Sequence, residues 1–139
     1  MKVQLATFQL AGYTYGIEVG MVQEVLRQQS RTRVPLAPPA VAGLVNLRGQ
    51  VLTAIDLRSR LDLPERPEGV EPMVVVVRVA GEPVSLLVDS IGDVVDVDSD
   101  TFEQPPDTLS DAGRELITGA YMLSDRLLLA LDTDRAVAG

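Results

Sequence analysis

The chain has 139 residues, nearly half of them apolar, and a formal charge of −8 from 20 acids and 12 bases. That length suits one domain with a substantial core or two small ones, and the excess of acid argues against gripping a nucleic-acid backbone, which takes clustered Lys and Arg. His, Cys and Trp are absent and Lys2 is the only lysine, which excludes imidazole and thiolate catalysis, disulfides, His- or Cys-bound zinc and a Gly-Lys-Ser/Thr phosphate loop.

The opening MKVQLATFQL carries one cation and no cleavage site after a long apolar stretch. With apolar runs of about five residues, far short of the ~20 that span a bilayer, the expectation is a cytoplasmic protein with no direct membrane insertion. Val3–Leu10 and Tyr13–Val19 flank Ala11-Gly12, and the second run alternates, so they predict a hairpin. From Met21 the period changes: Val22, Val25 and Leu26 fall at i, i+3 and i+4, which predicts a helix of about two turns, weakly capped by Gly20. Gln28–Arg33 is polar, and the prolines of Val34–Pro39 enforce extended chain.

Gly43–Leu63 is the organising stretch. Leu44–Leu47 and Val51–Leu57 flank Arg48-Gly49-Gln50, a second hairpin whose turn uses the positive φ that Gly49 tolerates. Val51, Thr53, Ile55 and Leu57 share one face and Leu52, Ala54 and Asp56 the other, so both faces are largely apolar, as between two packed layers. Arg58–Leu63 predicts a helical turn ended by Pro64, and Pro64–Pro72 has linker composition. Met73–Val79 and Val84–Asp89 form a third hairpin across Ala80–Pro83. Val94–Val97 is a short strand, Asp98–Gly113 an exposed loop, Leu116–Leu123 and Leu127–Leu131 a fourth hairpin, and Asp132–Val137 a terminal helix.

The two halves repeat. Gly12, Tyr15, Ile17, Val19, Val22, Glu24 and Val25 correspond to Gly81, Val84, Leu86, Val88, Ile91, Asp93 and Val94. Gly43, Leu47, Val51, Leu52, Ala54, Ile55 and Asp56 correspond to Gly119, Leu123, Leu127, Leu128, Ala130, Leu131 and Asp132. Two blocks in the same order imply two units of about five short strands, approximately residues 12–63 and 73–135, joined by a linker at 64–72, with strand 3–10 belonging to either.

Few side chains offer chemistry. Asp96, Asp98 and Asp100 imitate a calcium loop, but Thr101 stands where the turn wants Gly and Asp107 where a bidentate Glu is usual, so a solvated loop reads better. Asp132-Thr133 lacks the Gly of an aspartic-protease motif, and nothing singles out a carboxylate pair for a hydrolase. Asp56, Asp132 and Asp89, near strand ends, suit capping of following amides. Tyr13, Tyr15 and Tyr121 suit strand packing. Arg48 is either a solvated charge at a hairpin tip or a planar fork offered to a partner, with Asn46 placed to orient it.

Asn46-Leu47-Arg48-Gly49, Val51-Leu52 and Ile55-Asp56-Leu57-Arg58 resemble the N-L-R-G and I-D-L-R signature of the CheW-like domain. Phe8-x-Leu10, Tyr15-x-Ile17-x-Val19, Val22-x-Glu24-Val25-Leu26, Pro35 with Pro38, and Val88-Asp89 extend the likeness over nearly the whole chain. The resemblance implies a mainly β fold of two SH3-like five-stranded β-barrel subdomains packed side by side, with one or two short helices. It implies a non-enzymatic, cofactor-free adaptor that joins a chemoreceptor's cytoplasmic helical tip to the regulatory CheW-like domain of a CheA-type histidine kinase. The partner-binding residues it implies are Arg48 with Asn46, Leu47 and Gly49, and Glu24 with Val22 and Val25, around a groove near Arg48 and Glu24. Gly20 before the helix, Thr53 where the family often has proline, and a short C-terminal helix depart from the pattern, leaving a type IV pilus or other signalling pathway as the alternative.

Overall fold

The computed structural model describes residues 1–27, 31–32 and 41–137; Val34–Pro39 lies outside them. The strands are β1 (Lys2–Leu10), β2 (Tyr13–Glu18), β3 (Val22–Leu26), β4 (Arg31–Thr32), β5 (Val41–Leu47), β6 (Gln50–Asp56), β7 (Met73–Val79), β8 (Glu82–Val88), β9 (Ser90–Asp98), β10 (Ile117–Met122) and β11 (Leu127–Leu131). Short helices are α1 (Leu57–Arg60), α2 (Asp111–Leu116) and α3 (Thr133–Val137). One sheet runs β10-β11-β2-β1-β9, the other β3-β7-β8-β6-β5-β4. This is the expected mainly β architecture of two SH3-like units with a few short helices.

Three hairpins share one device. Ala11-Gly12, Arg48-Gly49 and Ala80-Gly81 are two-residue loops with φ of 51° and 87°, 51° and 85°, and 51° and 81°, the left-handed pair whose twist matches that of the flanking strands. The third turn is therefore tighter than the expected Ala80–Pro83, and Pro83 sits within β8 opposite Arg78.

The repeat is real in topology but does not coincide with the sheets. Read across, β9-β1-β2-β11-β10 and β3-β7-β8-β6-β5 place the corresponding strands in corresponding positions. Yet each sheet draws on both halves. β2 pairs in parallel with β11, and β6 in parallel with β8, because the turn at Val19–Met21 carries the chain from the first sheet to the second and Asp89 carries it back. Residues 12–63 and 73–135 are thus units of sequence, not of pairing, and strand 3–10 joins the sheet of β9, β10 and β11. Each sheet closes on itself in the same way: after β3 the chain returns as β4 beside β5, and after β9 Glu103 bridges to Ala120 of β10.

Burial follows. Val45, Leu47, Leu52, Ala54, Val74, Val76 and Leu87 fill the second barrel, and Leu5, Val97, Tyr121 and Leu128 the first. The largest cluster, including Phe8, Leu10, Ile17, Ile55, Leu57, Leu86 and Leu129, lies between the two. At about 1.5–3 kcal/mol for each large aliphatic side chain buried, this shared layer binds the barrels into one body.

The expected helix after Met21 is a correction. Val22–Leu26 is a strand, preceded by a single 3-10 turn at Val19–Met21, and it pairs antiparallel with β7. A two-turn helix with a poor cap repays little of its nucleation cost, whereas pairing with four consecutive valines of β7 satisfies the backbone and the β-branched side chains together. A register shift between Val22 and Glu24 explains the misleading period: Val22 packs on the shared layer and Leu26 on the barrel core, so a bulge turns them to opposite faces and breaks the alternation that marks a strand.

Other expectations shift less. Val94–Val97 is the inner part of the longer β9, and Asp98–Gly113 contains a 3-10 turn at Ser99–Thr101 and the start of α2, capped by Ser110. Tyr15 and Tyr121 are buried as strand packing, while Tyr13 is 57% exposed. Among the described residues no helix is long and apolar enough to cross a membrane.

Candidate functional site

Arg48 occupies the first turn position between β5 and β6, at φ 51°. An L-residue with a long side chain is disfavoured there relative to Asn or Gly. Asn46 does not orient the guanidinium, as expected from sequence; its Oδ1 accepts the Gly49 amide at 3.1 Å and fixes the turn. Leu47 is buried in the barrel core. The guanidinium meets Glu24 instead: Nη1 donates to Oε2 at 2.8 Å and Nη2 to Oε1 at 2.7 Å. This is the parallel two-bond fork that arginine forms with a carboxylate.

The pair spans the sheet. Glu24 lies on edge strand β3 and Arg48 on a turn three strands away, so only a strongly coiled sheet brings them together. Glu24 and Leu26 face the barrel interior side of β3, and the pair therefore lies across the barrel's mouth. Arg48 is 71% exposed and Glu24 19%. The bond from Arg48 holds the Glu24 carboxyl below its usual range, and the same bond raises the Arg48 guanidinium. Val25 points outward and is 44% exposed, while Val22 is half-buried in the shared layer. The structure thus unites Arg48, Asn46, Gly49 and Glu24, presents Val25 on the same strand as Glu24, and withdraws Leu47 and much of Val22 into the core.

The sister barrel has no such pair. By the repeat, Asp93 corresponds to Glu24 and Ser124 to Arg48, and a serine cannot make the bridge. That hairpin tip instead carries Arg126 on its neighbour Asp125 at 3.0 Å.

A second ionic cluster is internal. Asp89 does not cap the amides that follow it, as expected; it gathers donors from three segments. Arg58 Nε donates at 2.8 Å, Arg58 Nη2 also donates, Arg66 Nε donates at 3.2 Å and the Ala11 amide at 2.8 Å. Burial by itself would raise the Asp89 carboxyl, but the Arg58 bonds, the Ala11 amide and the nearby Arg66 charge outweigh it and leave it below the ordinary range. Arg58 Nη1 further donates to the carbonyls of Pro64 and Glu65. Asp56 and Asp132 do cap, accepting the Arg58 and Arg135 amides. Sequence reasoning quoted Arg58 within a motif but gave it no partner, because Asp89 is 31 residues away.

The groove expected near Arg48 and Glu24 does not coincide with the open cavity on the first sheet. An open cavity of about 480 Å³ lies on the first sheet, lined by Leu5, Ile17, Met21, Phe102 and Tyr121 with Glu18 at its edge; neither Arg48 nor Glu24 borders it. Only Met21, immediately before β3, adjoins the predicted site residues.

Residues 4–138 fit the CheW-like domain. The chain is similar to the chemotaxis protein CheW of Treponema pallidum, 32% identical over 135 residues and covering 94% of this chain and 79% of that one. It is also similar to that of Bacillus subtilis, 31% identical over 131 residues and covering 94% and 84%. Among solved structures, the scaffolding protein TtCheW from Thermoanaerobacter tengcongensis superposes with a TM-score of 0.84 at 27% identity, covering 95% of this chain and 90% of that one.

Proposed function

The chain belongs to the CheW-like domain family of chemotaxis scaffolds, and from that premise we propose that it is a non-enzymatic cytoplasmic adaptor coupling a chemoreceptor to a CheA-type histidine kinase. The observation that carries the reading is the exposed Glu24–Arg48 fork, present at one barrel mouth and without counterpart at the other. A duplicated fold that forms one of its barrels without the pair does not need it to close a barrel.

In this reading a partner acid or carbonyl shares the Arg48 fork, and Val25, exposed on the strand that bears Glu24, supplies apolar contact. Each contact is modest and assembly multiplies them. The kinase's CheW-like domain and the receptor's helical tip are the partners. The kinship with chemotaxis proteins favours that pathway over a pilus system.

The test is co-sedimentation of the purified chain with the receptor and kinase encoded beside it. The wild type should sediment with both. Arg48→Glu, which sets a second carboxylate against Glu24, should lose sedimentation, and Arg48→Asn, suited to φ 51°, should do the same while melting as the wild type does. Failure of the wild type to bind either partner would overturn the proposal. Unfolding of both variants would make Arg48 structural.

A further inference from the structure

The segment from Pro64 to Pro72 has linker composition, yet one side chain in it turns inward. Arg66 is 10% exposed, with Nε 3.2 Å from Asp89 Oδ1 and Nη2 3.6 Å from Asp56 Oδ1. Glu65, Pro67, Glu68, Gly69, Val70 and Glu71 are exposed around it, and Val70 donates only to the Pro67 carbonyl within the segment.

Asp89 does not depend on Arg66. Two donors of Arg58 and the Ala11 amide already occupy both of its oxygens. Arg66 also leaves its Nη2 buried without a hydrogen bond among the described residues, since 3.6 Å to Asp56 is too long for one. A buried donor left unpaired subtracts from whatever the ion pair contributes. The closed strap is therefore held by one side chain whose attachment is partly offset, over a cluster complete without it. Regions with few buried contacts and exposed backbone are where local opening takes place apart from global unfolding.

We propose that residues 65–71 form a latch, pegged by Arg66 into the Asp56–Arg58–Asp89 cluster, that opens and closes while both barrels stay folded. The carbonyls of Pro64 and Glu65 held by Arg58 Nη1 form the hinge end, and buried Pro72 the other. Opening uncovers Arg58 and Asp89 to solvent. The inference stands whether or not the chain acts as an adaptor.

Amide ¹⁵N relaxation on the full chain tests it, comparing wild type with Arg66→Ala and Arg66→Met. In the wild type the amides of Glu68, Gly69 and Glu71 should be ordered, with order parameters near the ~0.85 of rigid backbone, and in Arg66→Ala they should fall below about 0.6. Cleavage by a glutamyl endopeptidase after Glu65 or Glu68 should quicken at least tenfold. The amides of β6 and β8 and the melting curve should hold. Arg66→Met keeps the aliphatic stem and loses the charge, so it should behave as Arg66→Ala. An ordered strap in Arg66→Ala, an ordered strap in Arg66→Met, or loss of order that spreads into β6 and β8 would each overturn the latch.

Discussion

Asp89→Asn is the sharpest probe of what holds the two barrels in register. The carboxylate receives two donors of Arg58, one of Arg66 and the Ala11 amide, and its side chain is 18% exposed against 11% for Arg58. Asparagine keeps the shape but turns an NH₂ toward donors and leaves the buried Arg58 guanidinium with only the more weakly coupled Asp56 as counter-charge. Breaking one side of a buried pair costs about 3–5 kcal/mol, a large fraction of the roughly 5–15 kcal/mol of a folded domain. For a chain of this size that corresponds to a melting temperature lower by about 10–20 °C. Urea melts followed by far-UV circular dichroism suit a chain without tryptophan, and an unchanged m value would show that the unfolded state is not what moved. The pH dependence has a definite sign. The folded carboxyl lies below its usual value of 3.8, so the stability it contributes is present above that value and is lost as the pH falls through the folded one. The gap between wild type and Asp89→Asn should be flat from pH 7 to about 5 and narrow below about pH 4, where the protonated acid and the amide become alike. A gap under about 1 kcal/mol at pH 7, or one that stays constant into acid, would refute a charged clamp.

Two further substitutions test the packing and the turns. At Gly119 an added Cβ would lie 2.1 Å from Phe102 Cζ and 2.6 Å from the Glu103 carbonyl, so Gly119→Ala should cost about 1–3 kcal/mol by overpacking. It should also speed exchange of the Ala120 amide, which donates to Glu103 at 3.0 Å; unaltered exchange would show that the bridge yields without penalty. Ala80 holds φ 51° with no function assigned to its side chain, and Ala80→Asn should raise stability by about 0.5–1 kcal/mol because Asn tolerates the left-handed region. A lower urea midpoint would contradict the turn assignment.

What could be read from the sequence was local. Ala11-Gly12 and Arg48-Gly49 announce tight turns because only certain residues tolerate positive φ, and Asp56 and Asp132 announce caps because their oxygens reach the next amides. Where two constraints superpose, the pattern misleads. Val22, Val25 and Leu26 carry helical spacing because a bulge reverses the face of β3 partway along, and nothing within five residues distinguishes that from a turn of helix. Asn46 misleads for the same reason, since an amide two positions before a turn can serve the turn or the adjacent side chain. Long-range choices leave no local trace. The parallel pairing of β2 with β11 and of β6 with β8 joins residues far apart in sequence, so the repeat was legible while the exchange of strands between its halves was not. Arg66 hides in a segment whose Pro, Glu and Gly content signals a linker, and only the carboxylates of Asp56 and Asp89 brought beneath it make it a peg.

The repeat supplies its own control for separating what folding requires from what it does not. Features present in both halves, such as the capping pair Asp56 and Asp132, the parallel junctions, and the return of the chain to close each barrel, belong to the fold. Two ion pairs break the symmetry. The positions corresponding to Arg58 and Asp89 are Asp134 and Gly20, and those corresponding to Glu24 and Arg48 are Asp93 and Ser124, so neither pair has a copy. Their surroundings divide them. Arg58 and Asp89 are largely buried where α1, the strap and the β1–β2 turn converge, so a single copy suffices to fix how those segments meet. Glu24 and Arg48 lie at the rim, with the guanidinium open to water and to salt, where such a fork adds little to stability. A structural account explains the buried asymmetry and leaves the exposed one unexplained. That difference is why the adaptor reading rests on Arg48 and not on the better-connected Arg58.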